Sequence, residues 1–351
     1  MDNKQKMFQR ISESRPKYPI KEFASGHLPH TILSSMSNYL LPMLNIKTRL
    51  VCRSTCKEFK DAITNHPWDN YSKNNDKYTY QNDSIIRGDV SCWLRVFPRA
   101  YAVILNDDRR FMQLTNYDLQ FVRGIRNISM TNCIEITDDA LVHLQGIHTL
   151  NIAGCYNITD LGISHLGGIH TLNISGCYKI TNHAFSYIQG IKSLNISGCI
   201  NITDDAFIHL RGIETLNMNK FDTCIPTNIT DNAFIHLNGI KNLDISYNYQ
   251  FTDKIFEYLG YVEDLKMRCC NKITDNAFMH LVNIKHLDIS LCDQILGDGF
   301  VYLTNLQTLK MHLCTRIHHT FLAYLKNIKH ISMDGCSKKQ KDFAYELGIL
   351  F

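Results

Sequence analysis

The sequence predicts an α/β solenoid, with a curved parallel sheet inside and short helices outside, preceded by a small all-α module. Three observations carry this. An apolar position recurs every 22 residues over most of the chain. Each repeat changes from strand-like alternation to helical spacing within its length, and residues 28–63 follow a separate, purely helical pattern.

The recurring position falls at Ile128, Leu150, Leu172, Leu194, Leu216, Leu243, Leu265, Leu287, Leu309 and Ile331. Every interval is 22 residues except Leu216 to Leu243, which is 27. These ten registered copies occupy residues from about 125 to 336, inside a solenoid expected over 103–351. A typical unit reads GIHTLNISGCYKITNHAFSYIQ. In its first half Leu172 and Ile174 point to one face, and Thr171, Asn173 and Ser175 to the other. The second half opens on Thr-Asp, as at Thr203-Asp204, where the Thr oxygen can accept from an orphan amide and Asp suits the helix dipole. Ala206, Phe207 and Leu210 share one side at helical spacing, and Gly212 closes the turn. The return segment is about two turns long, so α and 3₁₀ conformations are both open to it.

One unit cannot bury its apolar side alone, and stacking creates a continuous core. Strands pack about 4.8 Å apart whereas helices need about 8–10 Å, so the helices take the outside of the curve. Units of this composition resemble leucine-rich repeats.

A second ladder lies five residues after each strand opener: Cys133, Cys155, Cys177, Cys199, Asn248, Cys270, Cys292, Cys314 and Cys336, with Phe221 breaking it. Metal binding and disulfides both come to mind. One Cys per rung lacks the clustering of a zinc site, however, and the expected compartment is reducing. The architectural reading is the stronger: an inward Asn or Cys bonding backbone groups left unpaired at the bend. A third ladder comprises His143, His165, Tyr187, His209, His236, Tyr258, His280, Tyr302 and Tyr324. It could form a pH-sensitive or metal-binding strip, but rings that flank a buried Leu with a polar tip outward explain it more simply. An irregular first rung, with a strand around Val103 to Leu105, and the segment Lys338 to Phe351 are expected to cap the two ends.

Composition narrows the function classes. Charged residues are 20% of the chain and the net charge is only +4, with both signs mixed, which argues against nucleic-acid binding. No apolar run approaches the roughly 20 residues of a spanning helix, and the charged N-terminus is not followed by an apolar stretch as in a signal peptide. The chain is therefore expected in the cytoplasm or nucleus, away from membranes. There is no Gly-rich phosphate loop, no His-Glu-x-x-His and no Gly-x-Ser-x-Gly, so no catalytic residue, metal site or cofactor is assigned.

In front of the repeats, residues 28–63 read LPHTILSSMSNYLLPMLNIKTRLVCRSTCKEFKDAI. Pro29 stands at a helix start, followed by the stripe Ile32, Leu33, Met36, Tyr39 and Leu40, and a second apolar set comprises Leu50, Val51, Cys56 and Phe59. A module of about 40 residues has a weak core of its own, which leaves apolar surface for a partner. Its Leu-Pro start, Ile-Leu and Tyr-Leu pairs, Leu-Val-Cys-Arg and Cys-Lys-Glu-Phe segments, and the following His66-Pro67-Trp68, resemble an F-box. With the cysteine-bearing repeats and their Ile-Thr-Asp, the chain resembles F-box/leucine-rich-repeat proteins. It departs from them in having His30 and Thr31 where an acidic residue often follows Leu-Pro, and in its short repeats. The Asn-, Ile- and Lys-rich vocabulary matches an AT-rich genome, as in giant amoeba viruses or social amoebae.

The resemblance implies a domain order of an extension over 1–27, an F-box-like module over 28–68, a linker over 69–102, and the solenoid. It also implies a substrate receptor of a Skp–cullin–F-box ubiquitin ligase, acting in a host cell if the chain is viral. Leu28, Pro29, Ile32, Leu33, Leu50, Val51 and Phe59 would dock the Skp-type adaptor. The arc would hold a target protein near the ubiquitin-loaded enzyme, contributing proximity rather than bond chemistry. Phase places Thr149, Asn151, Thr171, Asn173, Ser193, Asn195, Thr215 and Asn217 on the concave face of the early rungs. From the sixth rung onward the same face carries Asp244, Asp264, Lys266, Arg268, His286, Asp288, Lys310, His312 and Asp334. Mixed charge on a rigid surface fixes a partner's orientation, so the target is expected there, beside the five-residue expansion around Lys220 to Thr227. Two rivals stand against this: the charges form a solvated, self-paired surface, or the chain is an interaction scaffold with no ubiquitin connection.

Overall fold

The computed structural model describes residues 102–105, 114–220 and 228–349. The chain divides into two compact units, Met1–Ile104 and Leu105–Phe351. Of the first, the strand β1 (Ala102–Ile104) is described. The extension 1–27 and the module 28–68 lie outside the described residues, as do Leu28, Pro29, Ile32, Leu33, Leu50, Val51 and Phe59.

In the second unit ten three-residue strands pair in parallel and in chain order. They are β2 (Asn127–Ser129), β3 (Thr149–Asn151), β4 (Thr171–Asn173), β5 (Ser193–Asn195), β6 (Thr215–Asn217), β7 (Asn242–Asp244), β8 (Asp264–Lys266), β9 (His286–Asp288), β10 (Thr308–Lys310) and β11 (His330–Ser332). The expected strand openers are register partners throughout, from Ile128 against Leu150 to Leu309 against Ile331. The 27-residue interval leaves the register intact, since Leu216 pairs with Leu243. Ahead of β2, the Leu105 amide donates to the Ser129 carbonyl. The strand expected around Val103 to Leu105 thus begins one residue earlier, with Leu105 following it.

The apolar pattern fills the interior. The strand openers and the Ile or Met two residues later are buried, and so are Phe185, Phe207, Phe234, Phe256, Phe278 and Phe300 from the return segments. Those segments start as one α-turn at Asn116–Leu119, Asp138–Leu141 and Asp160–Ile163, then become 3₁₀ helix alone from Asn182–Tyr187 onward. Six 3₁₀ residues, at about 2.0 Å each, run back over roughly the length of a three-residue strand with its bends.

The Thr-Asp pairs do more than start helices. Thr159, Thr181, Thr230, Thr252 and Thr274 each accept from the amide two residues on, as a cap should. The acid reaches across to the following rung instead. Asp253 accepts both the Thr274 amide at 2.8 Å and its hydroxyl at 2.6 Å. Asp138, Asp160, Asp204 and Asp231 hold Thr159, Thr181, Thr230 and Thr252 in the same way. Where the acid is replaced by Asn182, its amide does both tasks, accepting from Thr203 N at 2.8 Å and donating to Thr203 Oγ1 at 2.6 Å.

The residue before each inward Cys or Asn is left-handed. Glycine takes this place at Gly154, Gly176, Gly198 and Gly335, with φ of 71–72°. In other rungs Asn132, Tyr247, Cys269, Leu291 and Leu313 take it, with φ of 58–65°. A left-handed L-residue costs about 1–2 kcal/mol, so those side chains are kept against backbone preference.

The last rung ends in a helix over Lys338–Glu346. Its Gln340, only 2% exposed, donates to the Cys314 carbonyl at 2.9 Å and the Ile317 carbonyl at 2.7 Å, covering acceptors that a further rung would otherwise meet.

The Asp–Thr bridge yields a test with an internal control. Asp253→Asn should leave stability nearly unchanged, because Asn182 already fills that role elsewhere. Asp253→Ala leaves the Thr274 amide and hydroxyl without their acceptor and should cost about 1–3 kcal/mol, read from the urea midpoint.

Candidate interaction surface

The inward ladder is a hydrogen-bonding device. From Cys155 onward each thiol donates to the carbonyl 25 residues back, as Cys155 to Met130 at 3.2 Å, Cys177 to Ile152 at 3.3 Å, Cys292 to Met267 at 2.9 Å and Cys336 to Met311 at 2.9 Å, while Cys133 reaches Leu105, 28 residues back, at 3.5 Å. Asn248 donates to Met218 at 3.0 Å and also to Ile245, closing its own bend. Burial pushes the thiols of Cys177, Cys199, Cys270 and Cys314 up to about 12. Neutral thiols of this kind are poor nucleophiles and poor metal ligands. Among the described residues no three His, Cys, Asp or Glu converge as a metal site. In the outer ladder His143, His165, His209, His236, Tyr258 and His280 are half-buried, while Tyr187, Tyr302 and Tyr324 are exposed. The rings flank the buried residue that follows each of them, and the Nδ1 atoms of His143 and His236 are enclosed without a partner.

The concave face resolves into columns. Just outside the strands run His148, His170, Lys192, Glu214, Lys241, Glu263, Lys285, Gln307 and Lys329, a column that sequence reasoning missed although its alternating signs are visible. His148 and His170 stack with ring centroids 4.6 Å apart. Lys241 meets Glu214 at 3.0 Å and Lys285 meets Glu263 at 2.6 Å, while Lys192 reaches Glu214 at 3.6 Å. The Lys241 and Lys285 hydrogen bonds hold the carboxyls of Glu214 and Glu263 below the usual range. Such exposed pairs are worth little stability, but they are internally satisfied.

The expected target-binding residues lie on the sheet itself, and they separate by what their side chains already do. In the early rungs Asn151, Asn173, Asn195 and Asn217 each accept from the amide two residues on, at 3.0–3.1 Å. Asp244 and Asp288 do the same for Ser246 and Ser290, and Asp288 is only 8% exposed. These two acids therefore hold backbone. Lysine cannot accept, so at Lys266 and Lys310 the bond is supplied from the preceding rung: Ser246 Oγ takes the Arg268 amide at 3.3 Å, and Ser290 Oγ takes the His312 amide at 3.1 Å. Register places Lys266 between Asp244 and Asp288, and Lys310 beside Asp288, yet neither lysine has an ion-pair partner within 4.0 Å among the described residues.

The remaining residues are partly engaged. His312 Nδ1 lies 3.2 Å from Asp334 Oδ2, and its Nε2 lies 3.2 Å from Ser332 Oγ. His286 Nδ1 pairs with Thr308 Oγ1 at 2.8 Å. The Arg268 guanidinium sits over the Tyr247 ring, 6.0 Å from its centroid, with Nε enclosed and unpartnered. Asp264, Lys266 and Lys310 thus stand free of side-chain partners among the described residues, a narrower set than the nine charged residues expected on this face. Phe221 and Ile225 of the expanded interval lie outside the described residues.

A hollow of about 530 Å³ extends from Thr131 past Gly154, Gly176 and Gly198 to Lys220 and Asn248. Its walls include Tyr156 and Tyr178, stacked with centroids 5.3 Å apart.

No family model and no curated protein matches this sequence. Solved structures do. A chain of the yeast Rad7 and Elc1 complex aligns at a TM-score of 0.60 with 17% identity, covering 97% of this chain and 96% of that one. A chain of the Toll–Spatzle complex of Drosophila aligns at 0.52 with 12% identity, covering 71% of this chain and 38% of its own length. The fold is a leucine-rich-repeat solenoid. The rung register and the inward Cys/Asn ladder described above are its local signature in this chain, and at these identities the likeness is one of fold.

The thiol ladder sets a pH dependence. Below pH 9 the thiols are protonated in both the folded and unfolded chain and contribute no slope. Between 9 and about 12 the unfolded chain loses these protons while Cys177, Cys199, Cys270 and Cys314 keep theirs, so alkaline solution favours unfolding. The urea midpoint should fall steadily above pH 9. Native-state alkylation at pH 8 should label Cys269, which is half-buried, ahead of these four.

Proposed function

We propose that the chain is a non-catalytic receptor. Its solenoid holds a target protein on the concave face of the late rungs, and the module over 28–68 docks a Skp-type adaptor of a cullin ubiquitin ligase. The observation that carries the first part is the release of Lys266 and Lys310 from backbone duty. Every Asn or Asp in their column from β3 to β9 holds an amide, whereas the lysines project, exposed and unpaired, with Asp264 beside them. Charge of both signs on a rigid sheet orients a partner and rejects mismatched ones. Arg268, His286 and His312 frame that patch, while Asp244 and Asp288 hold the backbone beside it.

The second part rests on the F-box resemblance of Leu28, Pro29, Ile32, Leu33, Leu50, Val51 and Phe59. The likeness to a chain of the Rad7 and Elc1 complex extends over nearly the whole chain, not the repeats alone, which is what a two-part receptor would give. The target and adaptor roles are separable, so each has its own variant.

Leu28→Ala with Pro29→Ala should abolish co-purification with a Skp-type adaptor while leaving the solenoid folded. Adaptor binding by neither the native chain nor the variant would favour a scaffold without a ubiquitin role. Lys266→Glu with Lys310→Glu should reduce capture of target proteins about tenfold or more, read by quantitative mass spectrometry of co-purified partners. Asp244→Asn with Asp288→Asn should leave capture nearly intact, because Asn holds the same amides in the early rungs. Undiminished capture by the lysine variant would place the target elsewhere.

A further inference from the structure

We infer that the concave face of the early rungs, β2 to β5, is a second docking surface, and that it takes an extended acidic segment of a protein partner, held more tightly as pH falls. One residue ahead of each of these strands stand Arg126, His148, His170 and Lys192, basic groups on four consecutive rungs. At the rung spacing of about 4.8 Å they form a strip roughly 14 Å long, the reach of four or five extended residues. The sheet-face positions beside the strip are Asn, Ser, Thr or Ala throughout, so the face carries no carboxylate. Arg126 is exposed and has no ion-pair partner among the described residues. The first acid along the column is Glu214, ahead of β6, which Lys241 engages at 3.0 Å and Lys192 approaches to only 3.6 Å.

The neutral residues add donors to that charge. Asn151, Asn173 and Asn195 each commit Oδ1 to the amide two residues on, at 3.0–3.1 Å. Each Nδ2 is thereby turned away from its own strand, with two donors and no partner among the described residues. The histidines supply further donors on protonation. Their rings stack with centroids 4.6 Å apart, and each Nδ1 lies 3.2 Å from the hydroxyl of the next residue, Thr149 or Thr171. A protonated imidazole donates at both nitrogens, so Nδ1–H goes to the Thr oxygen and the Thr hydroxyl hydrogen is free for a ligand. The single chain resists this change. Burial, then His170 and Arg126, push the His148 pKa below its ordinary value. Lys192 flanks the pair on the other side, with Glu214 beyond it. Carboxylates laid along the strip would supply the missing counter-charge and favour the protonated rings.

Charge complementarity chooses the occupant. A face of cations and donors alone fits an anion and rejects a basic partner. Single-stranded nucleic acid is the other extended polyanion, but it is held by stacking bases on aromatic side chains, and these strands present none. Tyr156 and Tyr178, past the inward Cys, are already stacked on each other. The carbonyls of an extended peptide match the Asn donors, and its side-chain carboxylates match the basic strip.

The inference is independent of the receptor reading, which concerns the late rungs and is tested with other variants. Fluorescence anisotropy of the full chain with labelled deca-aspartate should show saturable binding. It should be about tenfold tighter at pH 6.0 than at pH 7.5, the effect of raising one imidazole pKa by about one unit on binding. His148→Gln with His170→Gln should erase that pH dependence. Arg126→Gln with Lys192→Gln should weaken binding about tenfold at both pH values. These side chains lie at the surface, so both variants should keep the native urea midpoint. Calorimetry of the native chain, in two buffers of different ionisation enthalpy at pH 6.5, should show protons taken up on binding, and it decides alone should a variant fail to fold. No binding at either pH, binding that neither double variant alters, or binding without proton uptake would overturn the inference. So would tighter binding of a ten-nucleotide oligothymidylate, which would make the partner a nucleic acid.

Discussion

The strands of this solenoid are three residues long, and everything else in each rung must find hydrogen bonds across to its neighbours. A backbone amide or carbonyl left dry and unpaired would cost on the order of a kilocalorie or more, once per rung. Side chains at fixed offsets meet that demand. Cys or Asn takes the carbonyl 25 residues back, or 30 across the expanded interval, and Asp holds the next rung's Thr. Asn or Asp on the sheet holds the amide two residues on. Just beyond the inward Cys, Asn157 and Asn201, and at the other bend Asn283 and Asn305, each donate to a carbonyl 23 residues back.

Repetition of polar residues is therefore what such a stack requires, and it says nothing about a ligand. Information lies in the exceptions. Where Lys266 and Lys310 interrupt the Asn/Asp column, serines of the preceding rung take over the orphaned amides, and the interruption is structurally tolerated. Where Leu296 replaces the usual Thr, Asp275 turns its carboxylate to the amides of Leu296, Gly297 and Gly299 instead. The first exception places charge on the concave face; the second is a local repair with no surface consequence.

This distinction explains which parts were legible from the residues alone. Period and alternation located every strand opener, since only apolar side chains fit there and their spacing is the rung. The cysteine ladder was readable as architecture for the same reason. The Asp of Thr-Asp was read as a helix-start residue because its true partner is 21 residues away, beyond any local signal. Of the charged concave residues, their shared face followed from phase, but their engagement did not. Residue type separates Asp288, whose carboxylate accepts an amide and is nearly buried, from Lys310, which cannot accept one, but phase alone ranks them together. The left-handed column was invisible because Gly, Asn, Tyr, Cys and Leu share no chemistry that would mark them as one position.

That column is where structure and sequence part most informatively. All its members adopt nearly the same φ, so the backbone requirement is constant along the solenoid while the residue type is not. Had backbone preference alone chosen, glycine would stand in every rung, as it does at Gly154, Gly176, Gly198 and Gly335. The late rungs instead carry large side chains at a conformation that disfavours them, on the same stretch of sheet where lysines replace backbone-holding Asn and Asp. Two independent columns thus depart from the stable choice over the same rungs. Lysine enters the Asn/Asp column at β8 and β10, and large left-handed side chains enter theirs after β7, β8, β9 and β10, so neither choice follows from the hydrogen-bonding demand of the rung.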